Sequence, residues 1–323
     1  MTRPFRFGIQ AFNAGSAQEW TDTAKAAEDL GYSCLHLADH YMGPGAAQEA
    51  ASHPVQDLAA IPAMMAAAAV TSTIKVGARV MCCDYHHPLV LAKSLATIDF
   101  LSGGRLEPGF GAGWIASEYQ AMGIPMARPG IRIDRMIDYV KLARQFFAGD
   151  ELDMATEHVT ANAMAGTPAS PQPGGPKIMM GGGAKRVLST CGKMADIVSI
   201  NFNNRDGKIG AVGIGSSTAE MTEQKIGWIR DGAGDRFDEL ELEIGGYFAA
   251  VTTTTAATVD MMAGAMGLDA TTMAEHPHAL IGSVDEICET LEARRETYGI
   301  SYVTFSQRNL QMMAPVVAKL TGK

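Results

Sequence analysis

The sequence is short of the features that would mark an exported, metal-bound or nucleic-acid-binding protein. Its five cysteines, Cys34, Cys82, Cys83, Cys191 and Cys288, are odd in number and form no C-x-x-C pair. That usage fits reduced, buried thiols in the cytoplasm and excludes a disulfide framework. Cys82 and Cys83 are adjacent, so on a strand they face opposite ways and cannot easily share a metal. Positive charge is scarce as well: 26 Lys and Arg stand against 35 Asp and Glu, a net charge of −9. A surface of that sign does not neutralise phosphates, so no nucleic-acid partner is expected. No apolar run approaches the roughly 18 residues of a membrane span. Residues 61–70 are apolar but too few. The N-terminus, Met1-Thr2-Arg3-Pro4-Phe5-Arg6-Phe7-Gly8, has no apolar core of a signal peptide. No H-E-x-x-H and no Cys/His cluster is present, and His276-Pro277-His278 has no third ligand nearby in sequence, so no metal is expected. No G-x-S-x-G supports a serine-hydrolase elbow.

What is present is a regular alternation of short apolar runs and helical patterns over 323 residues, 47% of them hydrophobic. Strands are expected at residues 5–11, 33–39, 74–83, 105–110, 176–180, 196–200, 240–251 and 301–306. Helices are expected at 16–31, 55–71, 88–102, 131–147, 184–193, 218–231, 256–266 and 284–298, with a terminal helix from 308. Ser16 with Glu19 three positions on reads as a capping box. Pro88 opens its helix and Gly103-Gly104 closes it. Eight β/α repeats without a composition break imply parallel strands with right-handed crossovers. That length and repeat number fit one (β/α)8 TIM barrel spanning 1–323 better than an open sheet. Residues 150–175, rich in Pro, Gly, Ala and Thr, and residues 201–217, rich in Gly and Asn, interrupt the repeat and read as loop insertions. The twenty methionines are core filler and adaptable pocket lining.

In such a barrel the chemistry sits where strands end, on one face. The unusual local sequences here fall at those ends. Strand two ends in Leu37-Ala38-Asp39-His40, which supplies a carboxylate and a group that titrates near neutrality. Strand three ends in Val80-Met81-Cys82-Cys83-Asp84-Tyr85-His86-His87, where His86 and His87 read as a helix cap. Strand four ends in Gly109-Phe110-Gly111-Ala112-Gly113-Trp114. Three glycines within five positions suit either a packed turn or close approach of backbone to a flat ligand. Strand five ends in Gly181-Gly182-Gly183, followed by a helix from Ala184-Lys185-Arg186. A helix N-terminus with two added cations suits a phosphate, and a flexible loop is the plainer alternative.

Several of these residues resemble the luciferase-like monooxygenase superfamily, and most closely its branch that uses the deazaflavin coenzyme F-420. The resemblance is carried by Ala38-Asp39-His40, by Ile74 through Val80, and by His87-Pro88 through Trp114. Within that last block lies Ala96-Thr97-Ile98-Asp99-Phe100-Leu101-Ser102-Gly103-Gly104-Arg105. It continues in Glu118-Tyr119 with Gly123-Ile124, and from Gly181 through Ala195-Asp196. It implies a bacterial luciferase-like (β/α)8 barrel that transfers hydride between F-420 and a small organic substrate. His40 matches the catalytic or ring-contacting histidine, with Asp39 beside it. Relatives often carry a non-proline cis peptide behind the ring, and the matching bond lies near Arg79-Val80. The ring would then lie against Arg79, Val80 and Met81, near Gly111, Ala112 and Gly113. The cofactor phosphate would lie at Gly181, Gly182, Gly183 and Ala184. Trp114 stands where sugar-phosphate dehydrogenases of this branch carry an acid, which implies a more apolar substrate. The resemblance also implies a homodimer. The alternatives are an FMN-dependent monooxygenase and a non-catalytic barrel that binds a flavin-type ligand.

Overall fold

The computed structural model describes residues 3–323. It is an α/β structure whose chain divides into two compact units. One comprises Phe12–Lys25 and Leu35–Met180; the other comprises residues 3–11, Ala26–Cys34 and Gly181–Lys323. Among the described residues no helix is long and apolar enough to cross a membrane.

In the unit ending at Met180, strand Lys75–Ala78 pairs in parallel with Leu106–Glu107, Val76 opposite Leu106. Strand Met81–Cys82 pairs in parallel with Gly109–Gly111, Met81 opposite Phe110. Residues Gly109 and Phe110 pair in turn with Met179 and Met180. Each continuous strand expected from the sequence, 74–83 and 105–110, is therefore two short ones. The first is interrupted at Arg79-Val80, whose peptide bond is cis, as the family resemblance implies. The second is interrupted at Pro108, which has no N–H to give the ladder.

Helix Pro88–Leu101 runs as the sequence predicts, with proline in its first turn. Gly103 and Gly104 follow it at φ 71° and 86°, values that suit glycine alone. The two charged residues of the adjoining block are structural. Asp99, fully buried, accepts the Leu106 amide at 3.2 Å and the Gln172 side-chain amide at 2.8 Å, and also bonds the Ser170 hydroxyl. The Arg105 guanidinium donates to the carbonyls of Ala68, Thr71 and Ile74. It thus serves the C-terminal carbonyls of helix Ala60–Val70, which has no basic residue of its own there.

That helix starts at Ala60, not at 55 as expected. Gln56 is drawn away to the carbonyls of Ala38 and Leu58, and a separate short helix, Ala46–Ala51, precedes it. The segment expected as a loop at 150–175 carries an antiparallel hairpin, Glu151–Ala155 with Thr160–Ala165. Its alternation buries Leu152, Met154 and Ala161.

In the other unit Ile197–Ile200, Glu241–Gly246, Ile300–Ser306 and Arg6–Ala11 pair in that order, all parallel. Arg6 closes this set: its guanidinium grips both oxygens of Glu241 at 2.6 and 2.7 Å and lies 3.5 Å from the centre of the Tyr302 ring. The strand expected at 240–251 breaks at Tyr247. Its second half, Phe248–Val251, pairs in parallel with Ala279–Gly282 as a separate two-stranded sheet. Helix Val284–Tyr298 carries a full capping box from Ser283 and Glu286. The terminal segment is a 3-10 turn, Gln307–Asn309, followed by helix Ala314–Leu320.

Candidate functional site

Strand Cys34–Leu37 delivers Asp39 and His40 at its end, and two hydrogen-bond systems start there. The first belongs to Asp39, which is buried. Its Oδ2 accepts the Cys82 amide at 2.9 Å and His86 Nε2 at 2.7 Å. His86 is therefore not a helix cap, as the sequence suggested; it is a partner of Asp39. Asp39 Oδ1 is buried with no hydrogen-bond partner. A buried carboxylate oxygen left that way suits a ligand N–H donor, such as one on the polar edge of a flavin or deazaflavin.

The second system belongs to His40. Its Nδ1 lies 2.7 Å from Glu118 Oε2, and Glu118 is wholly buried. The same carboxylate accepts the Tyr41 amide at 2.6 Å and the Tyr85 hydroxyl at 2.9 Å. Burial pushes Glu118 up. The bond and charge of His40, the Tyr41 amide and the Tyr85 hydroxyl outweigh it and hold Glu118 below its ordinary value. An ionised Glu118 only accepts, so His40 Nδ1 carries the proton of that bond and Nε2 is left for another partner. Trp114 meets the His40 ring edge-on at 6.1 Å, and His53 packs on it at 4.3 Å. Burial, and then the charge of His40, push His53 down to about 4, so this neighbour stays neutral.

A third set lies beside these. Tyr119 donates its hydroxyl to Asp84 at 2.9 Å, and Arg135 donates to the same carboxylate at 2.6 Å. Cys82 Sγ is 3.5 Å from the Tyr119 oxygen. Burial pushes the Cys82 thiol up to about 12, so it stays protonated and is no nucleophile. All five cysteines are buried and free.

The glycine run of strand four is shaped by these groups. Gly113 has φ 71°, and a Cβ there would overlap the Tyr119 hydroxyl; one at Gly111 would overlap the Val80 side chain. The closeness of backbone that the sequence foretold is here taken up by protein atoms, which is the packed-turn alternative. Arg79, Val80, Met81, Gly111, Ala112 and Gly113 do gather with Asp39 and His40 in one unit. Histidine 36, on the same strand, turns instead to the core, 3.7 Å from buried Glu107.

Gly181, Gly182, Gly183 and Ala184 belong to the other unit. Ala184 is the N-cap of helix Lys185–Met194 and has no side chain that could cap its first turn. Lys185 and Arg186 are exposed in its first turn. This end suits an anion. The glycines are again packed on protein: a Cβ on Gly183 would overlap the Phe202 carbonyl. Nearby in this unit Lys225 is fully buried, donating to the Asn201 carbonyl at 2.7 Å and to Ser217 Oγ at 2.5 Å. Burial holds it down to about 7.

The sequence reading placed Asp39 and His40 at a strand end and missed what binds them. Glu118, Tyr85 and His86 complete the site, and Asp84, Tyr119 and Arg135 brace it. The one available signal was Glu118-Tyr119, an acid and a phenol one helical turn beyond Gly113.

Known proteins bear on this arrangement. The family model described as luciferase-like monooxygenase matches residues 4–214. An uncharacterized protein of Mycobacterium tuberculosis is 28% identical over 202 residues, covering 59% of this chain and 70% of that protein. An F-420-dependent glucose-6-phosphate dehydrogenase of Nakamurella multipartita is 26% identical over 245 residues, 74% of this chain and 66% of that one. The solved coenzyme F-420 dependent tetrahydromethanopterin reductase of Methanopyrus kandleri superposes with a TM-score of 0.72. It covers 98% of this chain and 100% of its own at 18% identity, which speaks to fold alone. The fold is the luciferase-like (β/α)8 barrel class that the sequence led us to expect. With a family model spanning well over half its length, this chain belongs to the luciferase-like monooxygenase family, whose oxidoreductases work with F-420 or FMN.

Proposed function

We propose that the protein transfers hydride between coenzyme F-420 and a small organic substrate, with His40 moving the accompanying proton. The observation that carries this reading is the His40–Glu118 pair. A buried, ionised carboxylate fixes Nδ1–H, so Nε2 is the atom that takes or gives the substrate's proton. Geometry of this kind is what proton transfer needs: one nitrogen anchored, the other offered. Trp114 and His53 pack on the imidazole and limit water around it.

Asp39 is read as a cofactor residue through its unpartnered Oδ1. Arg79, Val80, Met81, Gly111, Ala112 and Gly113 are read as backbone that the ring rests against. Gly181, Gly182, Gly183 and Ala184 are read as the phosphate cradle, supported by the uncapped helix start. When bound, the deazaflavin supplies or accepts the hydride at its ring carbon. A relative named as an F-420-dependent dehydrogenase, 26% identical, supports this choice of cofactor. Residues 1–323 are treated as one barrel domain with insertions, working as a homodimer on a small molecule.

Two measurements test the reading. Titration of the pure protein with F-420 and with FMN, followed by absorbance, is expected to give tighter binding of F-420 and no oxygen consumption. Tighter FMN binding with oxygen uptake would replace it with the monooxygenase reading. In the F-420 assay His40→Ala is expected to lower turnover by roughly 10²–10⁴ with little change in cofactor affinity. Weakened cofactor binding with an intact saturated rate would make His40 a ring-orienting residue instead.

A further inference from the structure

A cavity of about 440 Å³ opens in the unit that ends the chain, wholly within that unit. Its walls are Phe248 on strand Phe248–Val251 and Met261, Met262 and Met266 on helix Thr255–Met266. Ser306 and Arg308 close the far side at turn Gln307–Asn309. The helix has a core side: Val259 and Ala263 are buried against Met273 and Ala279. Met262 and Met266 lie half-buried along that contact, while Met261 is 65% exposed at the cavity rim. Met261 thus extends the apolar lining of the cavity out to its mouth. Methionine is unbranched and pliable, so it lines pockets that take flexible chains.

The polar end is one-sided. Arg308 is exposed, and only its backbone amide is engaged, on Ser306 Oγ at 3.4 Å. Among the described residues no carboxylate pairs with its guanidinium. In a chain of net charge −9 an arginine left without an acid beside an apolar hollow is a chemical signal. Its planar fork matches a carboxylate. A phosphate dianion would call for a second cation, and none lines the cavity.

We propose that this cavity binds an amphipathic organic carboxylate, its aliphatic chain along Phe248 and the methionines and its carboxylate on Arg308. The size is that of an ordinary small-molecule site. The lining follows directly on strands Glu241–Gly246 and Ile300–Ser306, whose ends are where the proposed function seats its chemistry, and a binding test needs neither cofactor nor turnover, so its outcome is separate from that of the redox reading.

Isothermal titration calorimetry of the full chain tests it, with sodium octanoate and 1-octanol as probes. Octanoate is expected to bind roughly tenfold more tightly than octanol, the worth of one charge-assisted contact. Arg308→Gln is expected to bring octanoate down to the octanol level and leave octanol unchanged. Ala265 is exposed on the same helix and lines the cavity, so Ala265→Trp is expected to fill the hollow and abolish both. Circular dichroism checks that each variant is folded. No binding of octanoate to the unmodified protein overturns the proposal. So does equal affinity for the two probes, or octanoate binding that survives either substitution unchanged.

Discussion

Replacing Glu118 by glutamine should leave the protein folded and invert the imidazole of His40. Glu118 accepts three hydrogen bonds in the interior: His40 Nδ1–H, the Tyr41 amide and the Tyr85 hydroxyl. A glutamine of the same length keeps one carbonyl oxygen, and the Tyr41 amide at 2.6 Å has nowhere else to turn, so it takes that oxygen. The new NH2 group then faces His40 and Tyr85 as a donor. Tyr85 can accept through its hydroxyl, and His40 can accept only if Nδ1 gives up its proton to Nε2. The Tyr41 amide and His40 stay satisfied and Tyr85 keeps one bond as an acceptor, at the loss of its donor bond and of a charge-assisted bond, so the expected destabilisation is about 1–2 kcal/mol. Glu118→Leu has no such rescue. It orphans the Tyr41 amide outright, about 1–3 kcal/mol, and weakens two further donors that can partly reorient. The expected total is about 3–6 kcal/mol. Urea denaturation midpoints give the two stabilities. Nitrogen NMR of the labelled imidazoles, at alkaline pH where they are neutral, gives the tautomers. His40 should carry its proton on Nδ1 in the native protein and on Nε2 in Glu118→Gln. A native His40 protonated on Nε2, or a glutamine variant as unstable as the leucine one, would refute the reasoning. Under the proposed function the glutamine variant should also lose most of its turnover in the direction in which Nε2 takes the substrate's proton, because that nitrogen then starts protonated.

Three further outcomes are expected. Gly113→Ala should destabilise by about 3 kcal/mol, from a methyl at φ 71° together with the break of the Tyr119–Asp84 bond it would displace; a loss under 1 kcal/mol in urea melts would contradict it. Burial holds His53 and His276 down to about 4, so the unfolded chain binds protons that the folded one does not. Stability should therefore rise with pH from about 4 to 6.5, by up to about 3 kcal/mol for each histidine, and His276→Asn should remove about half of that rise, leaving the share of His53. Burial likewise holds Lys225 down to about 7; the unfolded lysine keeps its proton over the window from about 7 to 10, where stability should climb with pH, and Lys225→Met should remove the climb.

The sequence made local punctuation plain and distant partnership obscure. Pro88 and Gly103-Gly104 fix the ends of one helix through their own backbone chemistry, and those ends stand where they were expected; Ser16 likewise accepts the Glu19 amide at the start of another. The alternation of Leu152, Met154 and Ala161 was also in the sequence, but the surrounding Pro, Gly and Thr masked it as a loop. The false start of a helix at 55 came from Gln56, whose pull toward Ala38 is tertiary. The site divides the same way. Asp39 and His40 were readable because they follow an apolar strand directly. Glu118 sits 78 residues from His40 and His86 sits 47 from Asp39, so no local pattern joins them. The glycine run left a packed turn and close approach to a ligand both open, and sequence could not say that Val80 and Tyr119 fill the space beside it.

Asp99 has a consequence for exchange between relatives. One carboxylate holds the start of strand Leu106–Glu107 and, through Ser170 and Gln172, the far end of the segment that carries the hairpin. The hairpin itself, Glu151–Ala155 and Thr160–Ala165, takes no part in that junction. A chimera that swaps residues 151–165 alone leaves the junction whole. One that swaps the segment through 175 imports foreign residues opposite a buried charge, which tolerates only partners that can hydrogen-bond it. The boundary at which this insertion can be traded between barrels therefore falls before Ser170.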